Sequence, residues 1–199
     1  FGTYFNSPEG FVYLDTGDFK VYGDGRTTRD LFRYADVVQM PLRCAREMYE
    51  RDRKAYNKPI KSLTLQEYAN YFCSRMRKEK NSDMLFIVTN GDEGAGFAYN
   101  EKKIVTAGQV AAFTGHIESF PDMVNDETSA GDIFAGAMSA SLISGYNIRT
   151  ALKIAAVTAA SSVRQVGNKT FLDRDAALEL SADLDLMQKR GRALLSELS

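Results

Sequence analysis

Val124–Tyr146 reads VNDETSAGDIFAGAMSASLISGY: acidic and small polar residues run without a break into an apolar stretch of helical length. Gly131 and the small residues before it let the backbone turn tightly and bring several N–H groups to one point. A helix starting near Asp132 adds its own N-terminal N–H groups and the positive end of its dipole. The product is an anion site with a carboxylate at its mouth. Such a pairing suits phosphoryl transfer, because N–H groups stabilise charge on the moving group while a carboxylate takes the proton of an attacking hydroxyl. A second reading makes Asp132 an ordinary helix N-cap, since Asp is among the best capping residues.

The segment DETSAGDIFAGA resembles the C-terminal signature of the ribokinase-like (PfkB) carbohydrate kinases, D-T-T-G-A-G-D-x-F. Asp126, Thr128, Ala130, Gly131, Asp132 and Phe134 match it; Glu127 stands where Thr is usual and Ser129 where Gly or Ala is usual. The resemblance implies that Asp132 is the catalytic base and that the N–H groups of Ala130, Gly131 and Asp132 form the anion hole. It also places Asp126, Thr128 and Ser129 at the nucleotide, with ATP and Mg2+ as cofactors and a monovalent cation such as K+ nearby. Ser129 keeps the backbone donor. Glu127 adds negative charge beside a phosphate site, and one reading gives it, with Asp126, part of the metal shell.

Upstream, Met84–Thr89 (MLFIVT) is a continuous apolar run of the kind buried on both faces of a parallel sheet. It leads into Asn90-Gly91-Asp92-Glu93-Gly94-Ala95-Gly96, whose glycines serve close backbone approach to a ligand or a hairpin turn equally well. This stretch resembles the family's T-x-G-x-x-G segment, which implies that Thr89 and Gly91 lie against the nucleotide phosphates. Gly96–Tyr99 and Ile104–Ala107 read as a hairpin around Asn100-Glu101-Lys102. Downstream, an Ala-rich helix is expected over Ile148–Val163. Its end, through Gly167, resembles the family segment that closes over adenine and helps hold the cation; a plain helix terminus with Gly beyond it explains Gly167 too.

Nearer the start, Phe11–Leu14 reads as a strand ending in Asp15-Thr16-Gly17-Asp18, with Asp15 either facing a ligand or serving the turn. A brief helix is expected from Thr28 to Tyr34, a strand over Ala35–Met40, then a helix with Pro41 in its first turn running to about Arg53. Relatives carry an N-x-x-E motif after this strand, whereas Pro41 and Cys44 occupy the matching positions here. Shifted by three, Glu47 supplies a carboxylate for a metal shell or is a solvated helix residue. Thr64-Leu65-Gln66-Glu67 is a capping box opening a helix to about Lys78, with Leu65, Tyr68, Phe72 and Met76 on its core face. His116, the single histidine, reads as a surface residue. An amphipathic helical region is expected from Asp173 onward.

Charges nearly cancel across the 199 residues, 25 Lys and Arg against 26 Asp and Glu, which favours a small-molecule partner over nucleic acid. Cys44 and Cys73 form no metal-type cluster and read as reduced thiols in a cytoplasmic protein. No apolar run reaches membrane-spanning length, so no membrane partner is expected. The element order implies one α/β layered, Rossmann-like domain with a largely parallel central sheet flanked by helices. By resemblance it is ribokinase-like and corresponds to the C-terminal part of a family member, without the N-terminal substrate and lid part. Two functions stay open: an ATP-dependent kinase acting on a sugar or nucleoside hydroxyl, and a truncated or pseudo-kinase that binds nucleotide or a partner protein without turnover. Self-association into a homodimer is also left open.

Overall fold

The computed structural model describes residues 10–17, 30–57, 59–79, 83–101, 104–110, 129–163 and 174–182. They fall into two compact units, one within Ser7–Ala111 and one drawn from Phe1–Asn6 and Ala112–Ser199.

Among the described residues the first unit holds a five-stranded sheet, two long helices and a helical turn at residues 30–32, the described part of the brief helix expected there. Its strands are β1 (Tyr13–Asp15), β2 (Val37–Pro41), β3 (Met84–Asn90), β4 (Gly94–Glu101) and β5 (Ile104–Val110), in that spatial order. β1, β2 and β3 pair in parallel, with Leu14 opposite Val38 and Val38 opposite Phe86. The hairpin then continues the sheet antiparallel, from Ile87 against Phe97 to Phe97 against Gly108. Asn100 and Glu101, expected in the hairpin turn, are strand residues paired with Val105 and Ile104.

Helices α1 (Leu42–Ala55) and α2 (Leu65–Glu79) supply the long crossover that parallel pairing of β2 and β3 requires. Pro41 differs from expectation by one position: it ends β2 and is the N-cap of α1, with extended φ −68° and ψ 150°, rather than a first-turn residue. The α2 capping box forms as read. The Thr64 N–H donates to Glu67 Oε2 at 2.8 Å and the Glu67 N–H to Thr64 Oγ1 at 3.3 Å. The Thr64 backbone N–H, and then its hydroxyl, hold the Glu67 carboxyl below the usual carboxylate range.

The core of this unit follows from strand alternation. Val38, Met40, Met84, Phe86, Val88 and Ala98 join Met48 and Tyr49 of α1 and Leu65, Tyr68, Phe72 and Met76 of α2 in one buried cluster. Phe86 stacks on Phe72 at 5.3 Å and meets the edge of Phe32 at 5.6 Å. Burying each such side chain contributes about 1.5–3 kcal/mol. Val37, Leu85 and Ile87, which alternate to the opposite face, are fully buried as well, as a continuous apolar strand requires. Neither cysteine is in a disulfide, and both are buried.

The second unit is built on a helical hairpin, α3 (Ala130–Ile143) and α4 (Ile148–Ser162). Phe134, Met138 and Leu142 recur every fourth residue on the buried face of α3; Ile148, Ala151, Leu152 and Ala155 are buried on α4. The connection is set by two local devices. Gly145, at φ +85°, donates to Leu142 O while Tyr146 N–H donates to Ser141 O, which closes α3 in a Schellman motif. Asn147 then caps α4, its side chain accepting from Thr150 N–H at 3.0 Å. Residues 174–182 are also helical. Among the described residues, no helix is long and apolar enough to cross a membrane.

Candidate functional site

The opening turn of α3 differs from the expected one in a way that changes the role of Asp132. The N-cap is Ser129, so Asp132 is the third residue of the helix and not its cap. Ser129 takes a left-handed conformation, φ +66° and ψ 7°, and its side chain makes no capping bond. An L-residue other than Gly, Asn or Asp pays about 1–2 kcal/mol there. That strain gives a physical reason for glycine at the corresponding place in the D-T-T-G-A-G-D pattern. Ser129 O accepts the first helical bond, from Ile133 N–H at 2.9 Å, and the N–H groups of Ala130, Gly131 and Asp132 stand ahead of it. Asp132 is exposed, and among the described residues its carboxylate has no hydrogen bond or ion pair. Ala130, Gly131 and Asp132 are thus the first three residues of the helix, with the Asp132 carboxylate exposed in its first turn.

From this end a groove of about 640 Å³ runs along α3, past Gly136 and Ala140. Ile154 and Thr158 of α4 line it, as do Tyr146 and Arg174. The Arg174 guanidinium lies over the Tyr146 ring and donates to its hydroxyl at 3.0 Å. Gly136 is not there for tight packing: a Cβ added to it would meet nothing within 4 Å.

In the sheet unit, Thr89 is half-buried near the end of β3 and Gly91 opens an exposed 3₁₀ turn, Gly91–Glu93, with φ +27°. A Cβ on Gly91 would meet nothing within 4 Å. The other two glycines of that stretch serve the fold. Gly94 turns the chain at φ +85°, and Gly96 lets β4 touch the backbone at the start of α2. Glu47 lies exposed on α1, and Cys44, in its first turn, is buried. The first turn of α1 carries no acid. Asp15 serves the turn: its Oδ1 accepts from Gly17 N–H at 2.9 Å and its Oδ2 from Gln39 Nε2 at 3.4 Å.

Sequence reading missed three residues around Asp15. The Tyr13 hydroxyl donates to Gln39 Oε1 at 2.6 Å, and burial, then the Asp15 charge, push its pKa well above the usual phenol value. Thr16 is 3% exposed, and among the described residues its hydroxyl has no hydrogen-bond partner. The signal available was Gln39, an amide inside the apolar run VVQM. Asp126, Glu127, Thr128, His116 and Gly167 lie outside the described residues. Among the described residues, no group of three His, Cys, Asp or Glu side chains is placed to hold a metal.

Several solved kinases share this architecture. A ribokinase from Thermotoga maritima is 20% identical, with a TM-score of 0.59 over 90% of this chain and 50% of its own. A nucleoside kinase from Burkholderia thailandensis, solved with inosine, is 17% identical, with a TM-score of 0.61 over 93% of this chain and 50% of its own. An adenosine kinase from Schistosoma mansoni, solved with adenosine, is 19% identical, with a TM-score of 0.61 over 88% of this chain and 48% of its own. The chain spans about half the length of these structures, and at such identities the likeness concerns the fold. No curated protein sequence matches it. The sequence profile of the pfkB family carbohydrate kinases matches residues 73–174, which include Thr89, Gly91 and the whole DETSAGD signature. That match covers just over half of the 199 residues, and the chain belongs to the pfkB family of carbohydrate kinases.

Proposed function

We propose that the chain performs ATP-dependent phosphoryl transfer to a hydroxyl group of a sugar or nucleoside. The observation that carries this reading is the exposed Asp132 carboxylate in the first turn of α3, beside the leading N–H groups of Ala130, Gly131 and Asp132. When bound, ATP supplies the γ-phosphoryl group and magnesium offsets its charge. Asp132 would accept the proton of the substrate hydroxyl as that hydroxyl's oxygen bonds to the γ-phosphorus and the bond to the β–γ bridging oxygen breaks, ADP being the leaving group. The helix-end N–H groups hold the charge that develops on the phosphoryl oxygens. Asp126 and Glu127 are proposed for the magnesium, whose preference for oxygen ligands and retained waters demands few protein groups. Glu47 is a weaker candidate on α1, and Gly167 is proposed for the nucleotide, with K+ nearby.

A second reading, nucleotide binding without turnover, draws on the first turn of α1, which carries no acid where relatives have a Glu. Two measurements separate the readings. ATP should raise the melting temperature under both, since a ligand specific to the native state stabilises it. ADP release dependent on an added sugar or nucleoside is expected only for the kinase; ATP binding with no such release across a broad panel overturns it.

The Thr89–Gly91 turn is proposed as a nucleotide contact in its own right. Gly91→Val should keep the sheet folded at a cost of about 1–2 kcal/mol from its positive φ, since an added Cβ meets open space, while weakening ATP binding about tenfold, equivalent to about 1.4 kcal/mol. Equal affinities in variant and parent would remove this turn from the site.

A further inference from the structure

The end of α1 and the loop leaving it concentrate positive charge that the rest of the chain lacks. Residues 51–61, RDRKAYNKPIK, hold five cations and one acid in a protein whose net charge is −1. The helix accounts for part of this, because Arg53 and Lys54 stand in its last turn, where the negative end of the dipole favours cations. It does not account for Lys61, beyond the loop, or for the apolar side chains among the cations. Tyr56 is 58% exposed and Ile60 47%; of the six large hydrophobic side chains left open among the described residues, these two lie four residues apart. Arg53, Lys54 and Lys61 have no carboxylate partner among the described residues. The one acid, Asp52, is engaged elsewhere, accepting from the Tyr71 hydroxyl at 3.1 Å and pairing with Arg75 at 3.6 Å.

Local contacts hold these groups in place. The Arg75 guanidinium lies 5.2 Å from the centre of the Tyr56 ring and donates to the Tyr71 hydroxyl at 3.0 Å. α2 therefore backs Tyr56 through Arg75 and leaves much of the ring open. Arg53 Nε donates to Pro59 O at 2.9 Å, which ties the loop to the helix end and keeps the next residues, Ile60 and Lys61, near it. A fixed tyrosine among cations has the makeup of a binding hot spot, since little side-chain freedom remains to be lost on contact. The patch also lies far from the edge of the sheet that receives ligands. α1 starts at the C-terminal end of β2, and its 14 residues carry the chain about 21 Å away.

We propose that this patch docks an acidic segment of a partner protein, its carboxylates meeting Arg53, Lys54 and Lys61 and an apolar side chain resting on Tyr56 and Ile60. The cations select the sign of the partner, and the apolar pair selects its class. Ile60 offers no ring for a base to stack on, which leaves a single tyrosine to serve single-stranded nucleic acid. Outside residues 51–61 the chain holds 25 of its 26 acids against 20 of its 25 cations, a balance that repels an extended polyanion or an anionic membrane. A short acidic segment meets only the patch, because exposed charges beyond about 8–10 Å are screened at ordinary ionic strength. The proposal rests on neither turnover nor ATP binding.

The full chain is titrated with a labelled peptide of alternating Glu and Leu, with a Lys–Leu peptide of equal length, with a single-stranded RNA and with vesicles containing phosphatidylserine. The parent should bind the Glu–Leu peptide best, and more weakly as salt is raised. Tyr56→Ala should weaken that binding about tenfold, the loss of one hot-spot side chain. Ile60→Ser, a change in the exposed loop, should weaken it too and gives the same information if Tyr56→Ala melts early. The double variant Lys54→Glu, Lys61→Glu should lose the Glu–Leu peptide and gain the Lys–Leu peptide, an exchange that unfolding does not produce. No binding of the Glu–Leu peptide by the parent, or equal affinity in the parent and both apolar variants, overturns the proposal. Tighter binding of the RNA or the vesicles than of the peptide overturns it as well. ATP affinity should be parental in every variant; a fall in it would assign these residues to the nucleotide site and overturn a separate docking surface.

Discussion

Asp132→Asn is expected to fold as the parent does, to keep its affinity for ATP, and to lose about a hundredfold or more in turnover, the range for a lost general base. Folding should survive because Asp132 is exposed, makes no side-chain bond among the described residues, and is not the cap. What it contributes to α3 is a first-turn carboxylate facing the helix dipole, worth about 0.3–1 kcal/mol at an exposed site. Asparagine has nearly the same shape but is no base at neutral pH. The loss should therefore fall on the maximal rate more than on substrate affinity. The measurement is steady-state ADP release beside a thermal melt of the same preparation. Turnover within a few-fold of the parent would leave Asp132 with only its electrostatic role at the helix end. A melt lowered by many degrees would show that the carboxylate is structural.

Legibility from sequence varied with how local each determinant was. The capping box at Thr64–Glu67 fixed the start of α2, because both of its bonds connect residues three apart. MLFIVT gave β3 for a similar reason, since a run of that length without polar relief has few places to go besides a doubly covered strand. Pro41 was ambiguous by one position because its φ suits the N-cap and the first helical residue alike. The chemistry of the DETSAGD segment was visible in residue types, but the backbone of Ser129 was not. A left-handed serine has no composition signal, and only the glycine of the family pattern hinted at it. The polar group of Tyr13, Thr16 and Gln39 stayed hidden because it is assembled across two strands more than twenty residues apart.

Gly96→Ala is expected to cost about 3 kcal/mol or more, at or beyond the upper end of what overpacking a core usually does. A Cβ at this position would lie 2.5 Å from the Leu65 carbonyl oxygen and nearer still to the Leu65 carbonyl carbon and the Gln66 nitrogen. Those are backbone atoms at the start of α2, and they cannot swing aside as a side-chain tip would. The capping box holds that turn, and Leu65, Tyr68 and Ala69, each at most 2% exposed, fix the helix in the core. Relieving the clash means shifting the whole helix end or bulging β4 between Val88 and Gln109, its two ladder partners. Urea unfolding should show a lower midpoint with an unchanged slope, the mark of a stability change without a change in exposed surface. Gly91→Ala is the control, since its Cβ meets open space and its positive φ alone should cost about 1–2 kcal/mol. The pair also decides what the glycines after β3 are for. Fold alone accounts for Gly96 if the alanine variant, measured below its unfolding midpoint, still binds ATP with parental affinity per folded molecule. Loss of ATP binding at unchanged stability would instead place Gly96 against the ligand and undo the packing explanation.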